Sequence, residues 1–180
     1  MTIYTIGHST RALEALLALL HAHGIRQLVD VRTVPRSRRH PHFSREALPS
    51  PLATEHIDYV HMPGLGGLRT PRPDSINTGF PADGFRGYAD YMQTPGFRTS
   101  LDALVAHARR APTAIMCAEA VPSRCHRSLI SDALLARGID VGHVVAIDRV
   151  EPHALTPFAR RDGARLTYPG AQPNLPMTGL

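Results

Sequence analysis

The chain contains no lysine, so its 20 lysine-plus-arginine positions are all arginine and the net charge of +5 is arginine charge. Arginine presents a planar fork that clamps phosphate or carboxylate and does not deprotonate. That balance favours anionic partners without requiring nucleic acid. Long apolar runs are also missing: none approaches the roughly 20 residues that a membrane span needs. The start, MTIYTIGHST, lacks the basic-then-apolar order of a signal peptide, which predicts a cytoplasmic protein with no membrane partner. Only two cysteines occur, Cys117 and Cys125. In an intracellular protein two cysteines argue against a structural disulfide and for thiol chemistry, metal binding or plain burial. There is no internal repeat, and 180 residues suit one α/β domain with a sizeable core.

What is present is organised around residues 113–138, TAIMCAEAVPSRCHRSLISDALLARG. Ala114, Ile115 and Met116 form an apolar run without alternation, as in a strand covered on both faces, and Cys117 falls at its carboxyl end. Leu129, Ile130, Ala133 and Leu134 then recur at helical spacing until Gly138 stops the helix. His126, Arg127 and Ser128 are thereby placed in the first helical turn. Ligands of open α/β sheets bind beyond the strand ends, under helix N-termini with free N–H groups.

The rest of the chain repeats this plan. Residues 3–6 predict a strand and GHST (7–10) leads from it into a helix with the stripe Leu13, Leu16, Leu17 and Leu20, Ser9 or Thr10 serving as N-cap. A second strand, 27–31, ends in Asp30-Val31-Arg32, whose two charged side chains share a face and either pair or reach the site. Residues 35–43 carry Pro and charge and read as an exposed basic loop. A third strand, 57–62, runs into Pro63-Gly64-Leu65-Gly66-Gly67-Leu68-Arg69, a glycine-rich loop that lacks the lysine and spacing of a phosphate loop. Residues 70–84 predict a long surface loop. Helices follow over 85–92, where Tyr88 and Tyr91 pack, and over 97–110. A strand at 141–147, a weak one at 166–168 and a surface tail complete the chain. The order implies a three-layer α/β/α sandwich with a mainly parallel, Rossmann-like sheet and long loops at the strand carboxyl ends. It is read as a single domain over 1–180, with a core of about 2–148 and 149–180 as a C-terminal extension packed on the surface.

Three chemistries fit these residues. A cysteine at a strand end facing a helix N-terminus has its thiolate favoured, and a neighbouring arginine and histidine favour it further, so Cys117 or Cys125 is a candidate nucleophile. Cys117 is the preferred one, because a strand end is held rigidly. Cys125 would then resolve or tune, His126 shuttle a proton, and Glu119 act as base or arginine partner; in a variant of this chemistry Glu119 or Asp30 is the acid or base and the cysteines merely shape the pocket. The product is a Cys-dependent transferase or hydrolase acting on a phosphate-bearing metabolite or nucleotide held by Arg127. A second chemistry is zinc or iron bound by Cys117, Cys125 and His126, whose soft donors suit either metal although nothing in the sequence requires a cofactor. A third is a nucleic-acid-binding or DNA-repair-associated module in which arginines 32, 36, 38, 39, 45 and 69 form a basic rim.

The strand-cysteine-loop-helix layout resembles that of rhodanese-type sulfurtransferases and cysteine phosphatases, but with a longer loop between Cys117 and Arg124 and with Glu119 where an anion would sit. More specifically, TIGHST, DVR followed by P-x-S, YVHMPGLGG-x-R, FRGYADYM and CAE followed by CHRSLI resemble the bacterial proteins grouped as domain of unknown function 488, over residues 2–145. The resemblance implies a cytoplasmic α/β domain with suspected enzymatic activity and no assigned reaction. Its motif residues fall here on Gly7, His8, Ser9, Asp30, Arg32, Gly66, Gly67, Arg69, Tyr88, Cys117, Glu119, Cys125, His126 and Arg127. Of these, His8, Ser9, Arg32, Gly66, Gly67, Arg69, Tyr88 and Arg127 are expected to bind substrate.

Overall fold

Short apolar runs divided by glycine and proline fold into alternating strands and helices, which the computed structural model describes for residues 1–36 and 39–170. In order these are β1 (Thr2–Gly7), α1 (Leu13–Ala22), β2 (Gln27–Asp30), α2 (Pro49–Thr54), β3 (Asp58–His61), α3 (Asp83–Tyr91), α4 (Pro95–Ala108), β4 (Thr113–Cys117), α5 (Arg127–Ala136), β5 (Asp140–Ala146) and β6 (Arg149–Pro152). A hairpin of β7 (Arg160–Asp162) and β8 (Arg165–Thr167) follows. Six strands form one sheet in the order β3-β2-β4-β1-β5-β6, parallel except for β6, which pairs antiparallel with β5.

Strand periodicity sends alternate side chains to opposite faces. Ile3, Val29, Ile115 and Val141 pack under α3, α4 and α5, whereas Ile6, Leu28, Ala114 and Met116 pack under α1 and α2. This is the expected three-layer sandwich. The neighbours β1 and β4 send their helices to opposite faces, α1 to one and α5 to the other. The chains therefore part at the carboxyl ends of these two strands and leave a crevice, the switch point at which open sheets bind ligands.

Several expectations are corrected. α1 begins after Ala12, which makes no side-chain cap; Ser9 instead takes φ 49 and donates its N–H to the Ala118 carbonyl at 2.8 Å. The GHST turn is thus used to tie β1 to the loop after β4. The basic loop is not wholly exposed, because Phe43 is buried and stacks on the His8 ring with centroids 4.3 Å apart. The C-terminal extension does more than cover the surface: Leu166 and Tyr168 belong to the core under α3 to α5. The sequence did not predict α2 or β6. Ser37, Arg38 and the tail after residue 170 lie outside the described residues.

Candidate active site

The crevice is a cleft of about 780 Å³ lined by residues that follow β1, β2 and β4, together with Gly67, Leu68, Gly84 and Phe85. The backbone builds it first. His8 N–H donates to the Cys117 carbonyl at 3.0 Å, extending the β1–β4 ladder past the strand ends, and Val31 N–H reaches the Met116 carbonyl at 3.0 Å. Gly7 allows this closeness, since a Cβ there would collide with the Glu119 carbonyl.

Among the predicted residues, His8, Ser9, Arg32, Gly67, Cys117, Glu119, Cys125 and His126 line the cleft. Asp30, Gly66, Arg69, Tyr88 and Arg127 do not line it; their places explain how it is held. Asp30 is fully buried and accepts from Arg32 Nε at 2.9 Å, Arg32 Nη2 at 2.5 Å, Arg32 N at 3.1 Å and the Tyr59 phenol at 2.7 Å. Those four bonds occupy the carboxylate, so Asp30 is a support for Arg32 and has no capacity left for a reacting proton. Arg32 in turn donates to His8 Nε2 at 3.2 Å and to the Phe43 carbonyl at 2.7 Å. His8 Nδ1 lies 2.9 Å from the Ser9 carbonyl, so it carries the proton and Nε2 is the acceptor. Burial first, and then the adjacent guanidinium, hold His8 down to about 4, which keeps it neutral. Tyr88 is buried and donates to the Leu65 carbonyl at 2.9 Å; Arg69 lies over the Tyr91 ring and donates to the Gly66 carbonyl at 3.1 Å. These two brace the glycine loop.

The thiol cluster sits at the cleft floor. Cys117 is half-buried and Cys125 buried, and neither is in a disulfide. His126 Nδ1 lies 4.0 Å from Cys117 Sγ and 3.7 Å from Cys125 Sγ, while His126 Nε2 is 3.1 Å from the Val31 carbonyl. A carbonyl only accepts, so Nε2 carries a proton and Nδ1 is aimed at the sulfurs. Arg127 is completely buried: its Nε donates to Cys125 Sγ at 3.4 Å, its Nη1 to Thr5 Oγ1 at 3.3 Å, and its Nη2 to the Glu119 carbonyl. The expectation that Arg127 clamps a substrate is therefore corrected, because its fork is turned inward.

The two sulfurs are hydrogen-bonded to each other. The hydrogen bond from Cys117 first, and then His126 and Arg127, pull the Cys125 thiol below its usual range against the opposing effect of burial. The same bond, with burial, pushes Cys117 up. A negative charge on the pair is thus favoured on Cys125, the sulfur that touches the guanidinium. The donor atoms of Cys117, Cys125 and His126 lie within 4.8 Å of one another, close enough to gather round a soft metal ion. A guanidinium in contact with one of the two sulfurs opposes a dication at that place.

Sequence reasoning named Arg36 for the rim but missed Arg124 as its partner. Both are exposed at the cleft wall beside Val34, Leu68 and Val121, three large apolar side chains left 58%, 76% and 47% exposed. It also missed the buried polar groups behind Arg127, for which Asp132 was a signal, since a carboxylate in the apolar stripe of α5 is unusual. Of the arginines expected to form a rim, Arg32 and Arg69 turn inward, and Arg38 is outside the described residues.

Among known proteins, a family model described as domain of unknown function DUF488 matches residues 12–134. No curated protein and no solved structure matches the chain.

Proposed function

The chain belongs to the DUF488 family, and from its cleft we propose that it is a thiol-dependent enzyme, a transferase or hydrolase acting on an anionic substrate with an apolar body. The observation that carries this reading is the buried Arg127. Among the described residues no carboxylate lies within ion-pair distance of it. Buried charges are paired, and the partner in contact is Cys125 Sγ at 3.4 Å. A buried cation at this place serves to keep a thiolate, which is the reactive form of cysteine.

Cys117, at the cleft and less buried than Cys125, makes the attack. Its S–H proton passes to His126 Nδ1 as the new bond from Cys117 sulfur to the electrophilic centre forms, the Cys125 thiolate beside that ring stabilises the imidazolium, and the leaving group departs with its electron pair and takes the proton from His126. When water or an acceptor displaces the bound group, His126 Nδ1 takes the incoming group's proton and hands it to the Cys117 sulfur as that bond breaks. Arg36 and Arg124 supply positive charge for the anionic part of the substrate, and Val34, Leu68 and Val121 give surface for its apolar part. A phosphate-bearing metabolite or a nucleotide meets both requirements.

The test is a thermal-shift screen of phosphate-bearing metabolites and nucleotides on the wild type, Cys117→Ser and the double variant Arg36→Ala/Arg124→Ala. A ligand should stabilise the wild type and Cys117→Ser and lose its effect on the double variant, while Cys117→Ser loses turnover. Equal stabilisation of all three proteins would place the site elsewhere. Metal analysis of protein purified without chelator bears on the same cluster: stoichiometric zinc or iron would replace the thiol reading by a metal centre. Binding to DNA or RNA that falls by roughly one logarithmic unit per phosphate contacted for each decade of salt would favour a nucleic-acid module instead.

A further inference from the structure

Behind the cleft, a run of polar groups leads from Arg127 across α5, β1 and β5. Arg127 Nη1 donates to Thr5 Oγ1 at 3.3 Å, and Thr5 Oγ1 lies 2.8 Å from His143 Nδ1. His143 Nε2 lies 3.0 Å from His153 Nδ1, and His153 Nε2 lies 2.8 Å from Asp132 Oδ1. Thr5, His143, Arg127 and Asp132 are all buried. We propose that Thr5, His143, His153 and Asp132 form a positioning chain that holds the Arg127 guanidinium on the Cys125 sulfur, with Asp132 as its remote counter-ion. This rests on the thiol reading of the cleft.

The ends of the chain fix its direction. A guanidinium only donates and a carboxylate only accepts. With both histidines neutral, one arrangement satisfies every link: the Thr5 hydroxyl donates to His143 Nδ1, His143 Nε2–H to His153 Nδ1, and His153 Nε2–H to Asp132. Burial, then the facing His153 and Arg127, hold His143 down to about 4, in keeping with the neutral form. Asp132 is fixed as the acceptor end by three further donors, Thr156 N at 3.0 Å, Thr156 Oγ1 at 2.6 Å and the Tyr168 phenol at 3.0 Å. A buried cation and a buried anion, each expensive alone, are thus joined through aligned hydrogen bonds that strengthen one another. The chain is not a proton wire, because arginine does not surrender its proton. It acts by orientation and charge. His143, His153, Thr156 and Tyr168 all lie beyond residue 134, where the family match ends, so the last part of the chain supports the site from behind.

The pH at which the Cys125 thiolate forms tests this, read as the ultraviolet thiolate absorbance of each protein minus that of its Cys125→Ser counterpart. Thr5→Val keeps the shape and deletes the hydroxyl; Thr5→Ser restores it; His153→Ala cuts the chain near its surface end and remains informative if Thr5→Val fails to fold. Thr5→Val and His153→Ala should move the midpoint up by about one pH unit, a tenfold loss of thiolate below the midpoint, and Thr5→Ser should behave as wild type. Wild-type midpoints in Thr5→Val and His153→Ala, or a Thr5→Ser protein that behaves like Thr5→Val, would overturn the chain while leaving the thiol reading intact. A wild-type midpoint at the ordinary value of about 8.5 would instead remove the thiol reading itself.

Discussion

At the scale of single residues, the site depends on close approaches that only glycine permits. A Cβ on Gly67 would lie 2.5 Å from His126 Nδ1, the atom aimed at both sulfurs. Gly67→Ala must therefore turn the imidazole away while leaving the core untouched. It should slow thiol modification at neutral pH by roughly tenfold or more with little change in melting temperature; an unchanged rate would mean that His126 does not serve the thiols. Gly7 is a stability position instead. Its Cβ would strike the Glu119 carbonyl, and with it the acceptor of Arg127 Nη2, so Gly7→Ala should cost about 2 kcal/mol in denaturant unfolding. The identity of the cleft-lining residues was legible in the motifs, but their roles were not. Asp30 and Arg127 read as site residues like His8 and Cys117, and only strand pleat and helix phase decide that the first two turn inward while the others face the cleft.

At the scale of elements, the strand-then-loop pattern was readable because parallel strands covered on both faces are continuously apolar, as in Ala114 to Met116. β6 escaped notice because it is a short antiparallel edge strand, mostly exposed and carrying Arg149, Glu151 and Pro152. α2, six residues long with prolines at both Pro49 and Pro51, has too little periodicity to register. The first half of the long loop over 70–84 is gathered by one side chain of α3, and its second half is tied to Tyr168 and Gly170. Asp90 accepts from Arg72 N at 2.8 Å, Ser75 Oγ at 2.7 Å and Asn77 Nδ2 at 2.7 Å. Asp90→Ala leaves those donors without an acceptor and should cost about 3 kcal/mol, with new proteolytic cuts confined to the loop. Because Gly84 and Phe85 line the cleft at its end, the same variant should also weaken ligand binding. A protein that keeps wild-type stability and protease resistance would show that Asp90 does not order the loop.

At the scale of the whole molecule, two buried histidines couple folding to pH. His8 and His143 are each lowered from 6.5 to about 4, chiefly by burial. The fold favours their neutral forms, so their contribution is fully present above 6.5 and is lost as pH falls through about 4. Each is worth up to about 3 kcal/mol. Melting temperature should accordingly fall steadily between pH 6.5 and 4, and a His143→Asn variant should lose part of that slope; a flat profile down to pH 4 would contradict the burial of both rings. The lowered Cys125 thiol acts in the same direction, its share being fully present above the unfolded value and lost as pH falls through the lowered one.

The central claim, that a buried guanidinium keeps one negative charge on the Cys117–Cys125 pair, is tested most directly by the rate of iodoacetamide modification of the folded wild type between pH 6 and 8. A thiolate already formed predicts a rate that is nearly independent of pH across that range. An ordinary thiol, with a pKa of about 8.5, would react roughly tenfold more slowly for each unit of pH below it, and that slope would contradict the account.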